Sequence, residues 1–357
     1  MKSRPGIFTT GLAIFSMFFG AGNVFVPLLL GKSVGEGIGI ALCGFLLTAI
    51  GAPMLGLFST ILCEGDSRAF FLRGGRSLGY LLMGVCLALL GPFAVLPRCL
   101  IVSHAAVSPY LGLGLWAYSA LALGVLFALM VKQGNLLTIL GRGLSPLLLV
   151  LLLVLIGVGL ATPGEAGAGV EGPFWVGLGS GYDTMDLLAS VLFAGAIWSL
   201  LGGRKDAGRI TLLSGLIGGV LLGVVYVGMG CVAARHGALL EGVATEGLLT
   251  HLARCLLGPK LAFVANMAVA LACLTTIMGL CVAITSLLRQ LFGQAFPYLW
   301  TVAGMLVVTG ALANLGFGPI ARMIHGAATV CYPLMIGLAI WNALRPPVLV
   351  GRKGPVG

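Results

Sequence analysis

Charge is what this chain has least of. Asp, Glu, Lys and Arg make up 8% of its 357 residues, and the acidic share is the smaller, 10 residues against 20 Lys and Arg. A soluble domain carries about 25% charge, so a water-solvated fold is excluded. The nine cysteines contain no C-x-x-C pair, and seven of them, such as Cys43, Cys86 and Cys273, sit inside apolar runs. That pattern reads as small packing residues rather than metal or disulfide chemistry. No G-x-x-x-x-G-K-[ST], G-x-S-x-G or H-E-x-x-H occurs, which disfavours an ATP-driven pump or a membrane protease. Nor do apolar and polar residues alternate, which rejects a transmembrane β-barrel.

What is present is hydrocarbon. Hydrophobic residues form 59% of the chain and mean hydropathy is +1.12. Charges divide it into ten uncharged runs, at 5–31, 37–63, 77–97, 99–131, 143–164, 187–203, 210–234, 261–288, 290–321 and 323–344. Each can hold one membrane helix of about 20 residues. The 99–131 run begins with the end of helix 3, and Pro109 and Gly112 mark the turn into helix 4. The opening "MKSRPG" resembles a signal peptide, but the run from Pro5 to Gly31 is too long for one and reads as a retained span.

The net charge of +10 does not point to nucleic acid, because the basic residues are spread through short loops. With the N-terminus in the cytoplasm, 14 Lys and Arg fall on the inner side and 4 on the outer, Arg98 and Arg322 lying at or within spans. The positive-inside rule therefore predicts both termini inside, in the cell membrane. Two long connections, 161–183 and 235–260, fall outside. The first divides ten helices into five and five. An odd count makes the second repeat inverted, with repeat one at about 5–164, repeat two at about 180–344 and a short tail at 345–357, all one transport domain.

The stretch 16–27, "SMFFGAGNVFVP", places Gly20, Gly22, Asn23 and Pro27 deep in helix 1. Gly and Pro weaken a helix, and Asn is costly in hydrocarbon. A broken helix exposes backbone N–H and C=O groups, tolerable only where it lines a cavity. Phe18, Phe19, Gly20, Ala21, Gly22 and Asn23 are the expected non-helical stretch, with Met17 beside it. The half-helix that follows would aim its N-terminus at an anionic group such as a carboxylate. The competing reading is close packing of Gly20 and Gly22 with Gly11 or Gly31.

Helix 6, "LFAGAIWSLLGG", has the shortest run and matches helix 1 in character, with Phe193, Ala194 and Gly195 at midplane depth. Asp183 and Asp186 precede it and, three apart, are expected on one face at the outer end. Asp186 reads as a dipole complement, as a gate of the outer entrance, or as a holder of a neighbouring helix. Arg98 either snorkels or pairs with Asp186, and Pro92 and Pro97 should kink helix 3. Ala272, Thr275 and Thr276 share a face of helix 8. Their oxygens suit a small alkali cation, unless the hydroxyls bond carbonyls of their own helix. Arg322 and His325 share a face of helix 10, as an interfacial pair or a proton relay.

The segments "FGAGNVFVP", "GPFAVLPR", "GYDTMD" and "NLGFGPIARMIHGAATVCYPLMIGLAIW" resemble, in order over about residues 5–342, the branched-chain amino acid:cation symporter family. The resemblance implies an all-α leucine-transporter-type fold, a 5+5 inverted repeat with helices 1 and 6 broken. It implies sodium-coupled import of leucine, isoleucine and valine, with no cofactor beyond the coupling ion. Carbonyls of Ser16, Phe19 and Ala272 and hydroxyls of Thr275 and Thr276 would hold sodium. The substrate carboxylate would lie at the N–H groups of Ala21 and Gly22. Two departures stand out. Members usually have twelve spans, and this chain reads as ten. Members also tend to carry P-R-T and a following acid in helix 3, where this chain has "PRCLIVSHAAV".

Overall fold

A computed structural model describes residues 6–131, 136–167, 169–201, 206–292, 295 and 297–345. The C-terminal tail beyond Arg345 lies outside the described residues. The chain is all-helical, with fifteen α-helices and no strand among the described residues. Five helical stretches are long and apolar enough to cross a membrane, and four shorter apolar helices of 10–17 residues accompany them. Together with the half-helices below they account for about ten spans.

Span 1 is two half-helices, α1 (Ile7–Phe18) and α2 (Ala21–Val34), separated only at Phe19 and Gly20, whose backbones are extended. Of the stretch expected to be non-helical, Phe18 instead ends α1, and Ala21, Gly22 and Asn23 form the first turn of α2. Span 2 is α3 (Ile38–Leu46) and α4 (Ala52–Ile61), joined by one π-helical turn at Leu47–Gly51. The short α5 (Ser67–Leu72) follows, N-capped by Asp66, whose Oδ1 accepts from the N–H groups of Arg68 and Ala69. Span 3 is α6 (Arg76–Leu90) and α7 (Val95–Leu111), broken at Gly91–Ala94. Pro92 lies in that break as expected, whereas Pro97 sits in the first turn of α7, where a missing N–H costs nothing. Gly112, at φ +61°, ends α7 before α8 (Leu115–Val131). Span 5 is α9 (Leu136–Ala161).

The second half departs from expectation. The segment expected as an outer loop contains α10 (Pro173–Tyr182), and α11 (Asp186–Leu201) follows after a three-residue turn. Their lengths, 10 and 16 residues, are each too short to span alone. Together they form one broken span, as α1 and α2 do with 12 and 14. Helix 6 is therefore broken at Asp183–Met185 and not at Phe193–Gly195, which lie inside continuous α11. The turn also overturns the shared face expected for Asp183 and Asp186. Asp183 caps the C-terminus of α10, Met185 takes φ +64°, and Asp186 opens α11.

The remaining spans are α12 (Ala207–Arg235), α13 (Leu248–Phe292), α14 (Tyr298–Ala313) and α15 (Phe317–Leu344). The 45-residue α13 is interrupted at Gly258 (φ +72°), so span 8 starts at Pro259.

The packing is reciprocal. The halves of span 1 both run along α12, while the halves of span 6 run along α3 and α4. Span 5 packs on spans 7 and 8, and span 10 on spans 2 and 3. Glycines allow these approaches. A Cβ on Gly177 would lie 1.8 Å from the carbonyl of Ala41, and one on Gly31 2.1 Å from that of Gly230. Small residues at helix contacts replace the hydrophobic drive that lipid does not supply.

Candidate functional site

The break in span 1 is held open by one side chain. Asn23, at the third position of α2 and 2% exposed, accepts from the N–H of Gly20 through Oδ1 at 3.2 Å. That bond fixes the amide, so Nδ2 points across the bundle. There it donates to Asp186 Oδ2 at 2.7 Å and lies against the hydroxyl of Tyr226. Tyr226 donates to the same Oδ2 at 3.0 Å. Asn23, Asp186 and Tyr226 are all buried, and together they tie α2, α11 and α12. A buried carboxylate costs several kcal/mol unless hydrogen-bonded. Asp186 is thus buried rather than solvated, and its bonds hold the neighbouring α2 and α12 at the break of span 6, which is the helix-holding role among those expected of it.

Arg98 departs from both of its expected roles. It neither snorkels nor pairs with Asp186. It is 2% exposed, and its Nη1 and Nη2 donate to the carbonyls of Asp183 and Thr184 at 2.5 and 3.3 Å. They belong to the C-cap of α10 and the residue after it, at the negative end of that helix, a natural seat for a cation. Its Cζ lies 5.4 Å from the centroid of Phe25, and its Nε has no hydrogen-bond partner. Asp183 is half-buried, and its Oδ1 lies 3.1 Å from Nδ1 of His325 on α15. His325 therefore pairs with Asp183 rather than with Arg322, and its side chain is 61% exposed.

Glycine spacing in span 1 now divides into two jobs. A Cβ on Gly11 would meet Ile217 at 2.8 Å, so Gly11, like Gly31, serves packing on α12. Gly22 instead admits Arg98, whose Nη2 would lie 2.6 Å from a Cβ there, and Gly20 faces Thr276 at 3.4 Å.

Two cavities meet at the break. A small one of about 30 Å³ is lined by Gly20, Gly22, Asn23, Arg98 and Asp186, among others. A wide one of about 830 Å³ runs from Phe19, Ala272 and Thr275 to Asp66 in the α4–α5 connection, Arg68 on α5 and Gln290 on α13. Met17, Phe193 and Thr276 line both. Phe18 meets Phe193 edge-on at 6.4 Å, an apolar floor between spans 1 and 6. Gly195 lines the wide cavity. Ala194 is fully buried and lines neither. The side chains of Ser16 and Ala21 lie outside the described residues, and what is expected of both rests on backbone groups.

The hydroxyls of Thr275 and Thr276 each donate to the carbonyl of Ala272 at 2.9 Å. The bland bonding pattern is therefore realised. It spends each hydroxyl proton and leaves oxygen lone pairs for another partner.

Sequence reasoning missed Tyr226, Thr184 and Tyr332, whose hydroxyl accepts from the N–H of Leu187 at 3.1 Å. For Tyr226 the only signal was a single tyrosine within the apolar run 210–234.

Broken spans 1 and 6 meet at these cavities in the leucine-transporter fold, and the family match that follows makes the chain a membrane transport protein rather than an enzyme. The chain belongs to the branched-chain amino acid transport protein family, whose model matches residues 3–349. It is 30% identical to branched-chain amino acid permease BrnQ of Corynebacterium glutamicum, over 96% of this chain and 82% of that one. It is also 30% identical to the branched-chain amino acid transport system 3 carrier protein of Pseudomonas aeruginosa, covering 98% and 85%. Among solved structures it is similar to Mhp1, a nucleobase-cation-symport-1 family transporter in a closed conformation, with TM-score 0.65, 13% identity and coverage of 93% and 77%. A manganese transporter of Eremococcus coleocola gives TM-score 0.60 at 14% identity, covering 93% and 76%. Such low identities carry the fold alone. Among the described residues, no group of three or more His, Cys, Asp or Glu could hold a metal ion.

Proposed function

We propose that this protein imports leucine, isoleucine and valine across the cell membrane by sodium symport and alternating access. The observation that carries the reading is the break at Phe19 and Gly20, which opens on both cavities opposite Thr276. The free N–H groups in the first turn of α2 suit the substrate carboxylate. The apolar wall of Met17, Phe18 and Phe193 suits a branched aliphatic side chain. A volume of about 830 Å³ lies within the range of small-molecule sites. Family membership supports the substrate class.

Sodium would lie between the end of α1 and α13. Carbonyls in the last turn of a helix lack intrahelical donors, which leaves those of Ser16 and Phe19 for a ligand. The lone pairs of Thr275 and Thr276 complete a set of hard oxygens with the carbonyl of Ala272. With no carboxylate among them, the set suits a monovalent cation better than calcium. The reciprocal packing supports an inverted repeat of spans 1–5 and 6–10. The charge bias of the loops supports cytoplasmic termini. The wide cavity, which reaches the α4–α5 connection, is then the cytoplasmic vestibule. Counterflow of labelled leucine in proteoliposomes tests the reading, and failure of unlabelled leucine, isoleucine or valine to drive it would refute the substrate class.

A further inference from the structure

The small cavity holds an unusual pair. Arg98 and Asp186 both line it, both are at most 3% exposed, and no ion pair joins them. Arg98 spends two donors on carbonyls, and its buried Nε has no partner. The side-chain bonds from Asn23 and Tyr226 converge on Oδ2, and the hydroxyl of Thr184, which donates to the carbonyl of Gly181, also lies at the carboxylate. Buried ionised groups are normally paired and fully bonded. Here a cation and an anion instead face a space of about 30 Å³, the share of roughly one water in the liquid. Beside them the N-terminus of the 14-residue α2 opens into the same space at Gly22.

We infer that Arg98 and Asp186 form a zwitterion clamp. The Arg98 guanidinium, with the first N–H groups of α2, takes the carboxylate of an α-amino acid, and Asp186 Oδ1 takes its ammonium. This rests on the transport reading and deepens it by naming what recognises the amino-acid head group. The side chain lies toward the wide cavity, across the shared wall of Met17, Phe193 and Thr276. Gly22 is needed because any side chain there would occupy the guanidinium's position. Asn23 and Tyr226 hold Oδ2, which assigns the ammonium to Oδ1. A ligand with one charge missing would leave one buried group unanswered, and such mismatches are heavily penalised.

Displacement of labelled leucine from the purified full chain tests the clamp with two analogues. Leucinamide lacks the carboxylate charge, and 4-methylpentanoate lacks the ammonium. Wild type should bind both at least about tenfold more weakly than leucine. Arg98→Gln should weaken leucine by a similar factor and leave leucinamide unchanged. Asp186→Asn should weaken leucine and leave 4-methylpentanoate unchanged. Arg98→Lys, which keeps the charge, should retain the preference for leucine over leucinamide. Equal binding of leucine and leucinamide by wild type overturns the clamp without any variant. So does a uniform loss for all three ligands in Arg98→Gln and Asp186→Asn, which marks a structural role. Wild type that binds no leucine sinks the transport reading instead.

Discussion

Asn23 and Asp186 are 163 residues apart in the chain and meet at 2.7 Å, joining the break of span 1 to the break of span 6. The contact couples the two half-helices that must move if the site is to open alternately to either side. It also sets a test of stability. Asn23→Ala removes one donor and leaves Asp186 with Tyr226 and Thr184. The expected loss is about 1.5–3 kcal/mol, the range for a buried bond to a charged group, read as a lowered thermal midpoint in detergent. An unchanged midpoint would show that Asn23 does not support the carboxylate.

Gly22→Ala should act through Arg98. The added Cβ would stand 2.6 Å from Nη2 and 3.0 Å from the carbonyl of Thr184, so the guanidinium must shift. Leucine affinity is expected to fall about tenfold or more, as when a charged hydrogen bond is lost, with the fold retained. Normal affinity in Gly22→Ala would rule out a close approach at this position.

Gly177→Val tests the packing of span 6 on span 2. The carbonyl of Ala41 sits 1.8 Å from the site of a Cβ, and the obstacle is backbone, which cannot rotate away. Overpacking costs about 1–3 kcal/mol, occasionally more, and here the upper end is expected. Wild-type yield and melting would mean that α3 and α10 can separate without cost.

His325 should be dispensable for coupling. It lines neither cavity, and its bond to Asp183 is largely exposed. Exposed ion pairs contribute about 0–1 kcal/mol. His325→Gln should therefore melt near wild type and transport leucine with the same sodium dependence. Loss of coupling in this variant would return the proton relay to consideration.

The spans and the first break were legible because their signals are local. Gaps between charges mark membrane segments, and Gly20, Gly22 and Asn23 announce a break within one turn of chain. The second break was misplaced for a physical reason. Its turn at Asp183–Met185 contains no glycine, and the left-handed residue is Met185, held there by surrounding structure rather than by its own preference. The glycine-bearing "LFAGAIW" drew the expectation instead. Likewise α10 passed for a loop, because 10 residues beside Glu171 do not look like part of a span. The partners of Arg98 were hidden because they are backbone carbonyls, which every residue carries. Tyr226 was hidden because its meaning depends on Asn23 and Asp186, both distant in sequence.

The most direct test is leucine affinity across a sodium series, measured for wild type, Thr276→Val and the Thr275→Val/Thr276→Val pair. Valine keeps the shape of threonine and removes the hydroxyl, so the change isolates the proposed ion ligands. Linkage requires that sodium tighten leucine binding by the same factor by which leucine tightens sodium binding. The account predicts a steep sodium dependence in wild type, weaker in Thr276→Val and absent in the pair. Wild-type affinity that ignores sodium would contradict it.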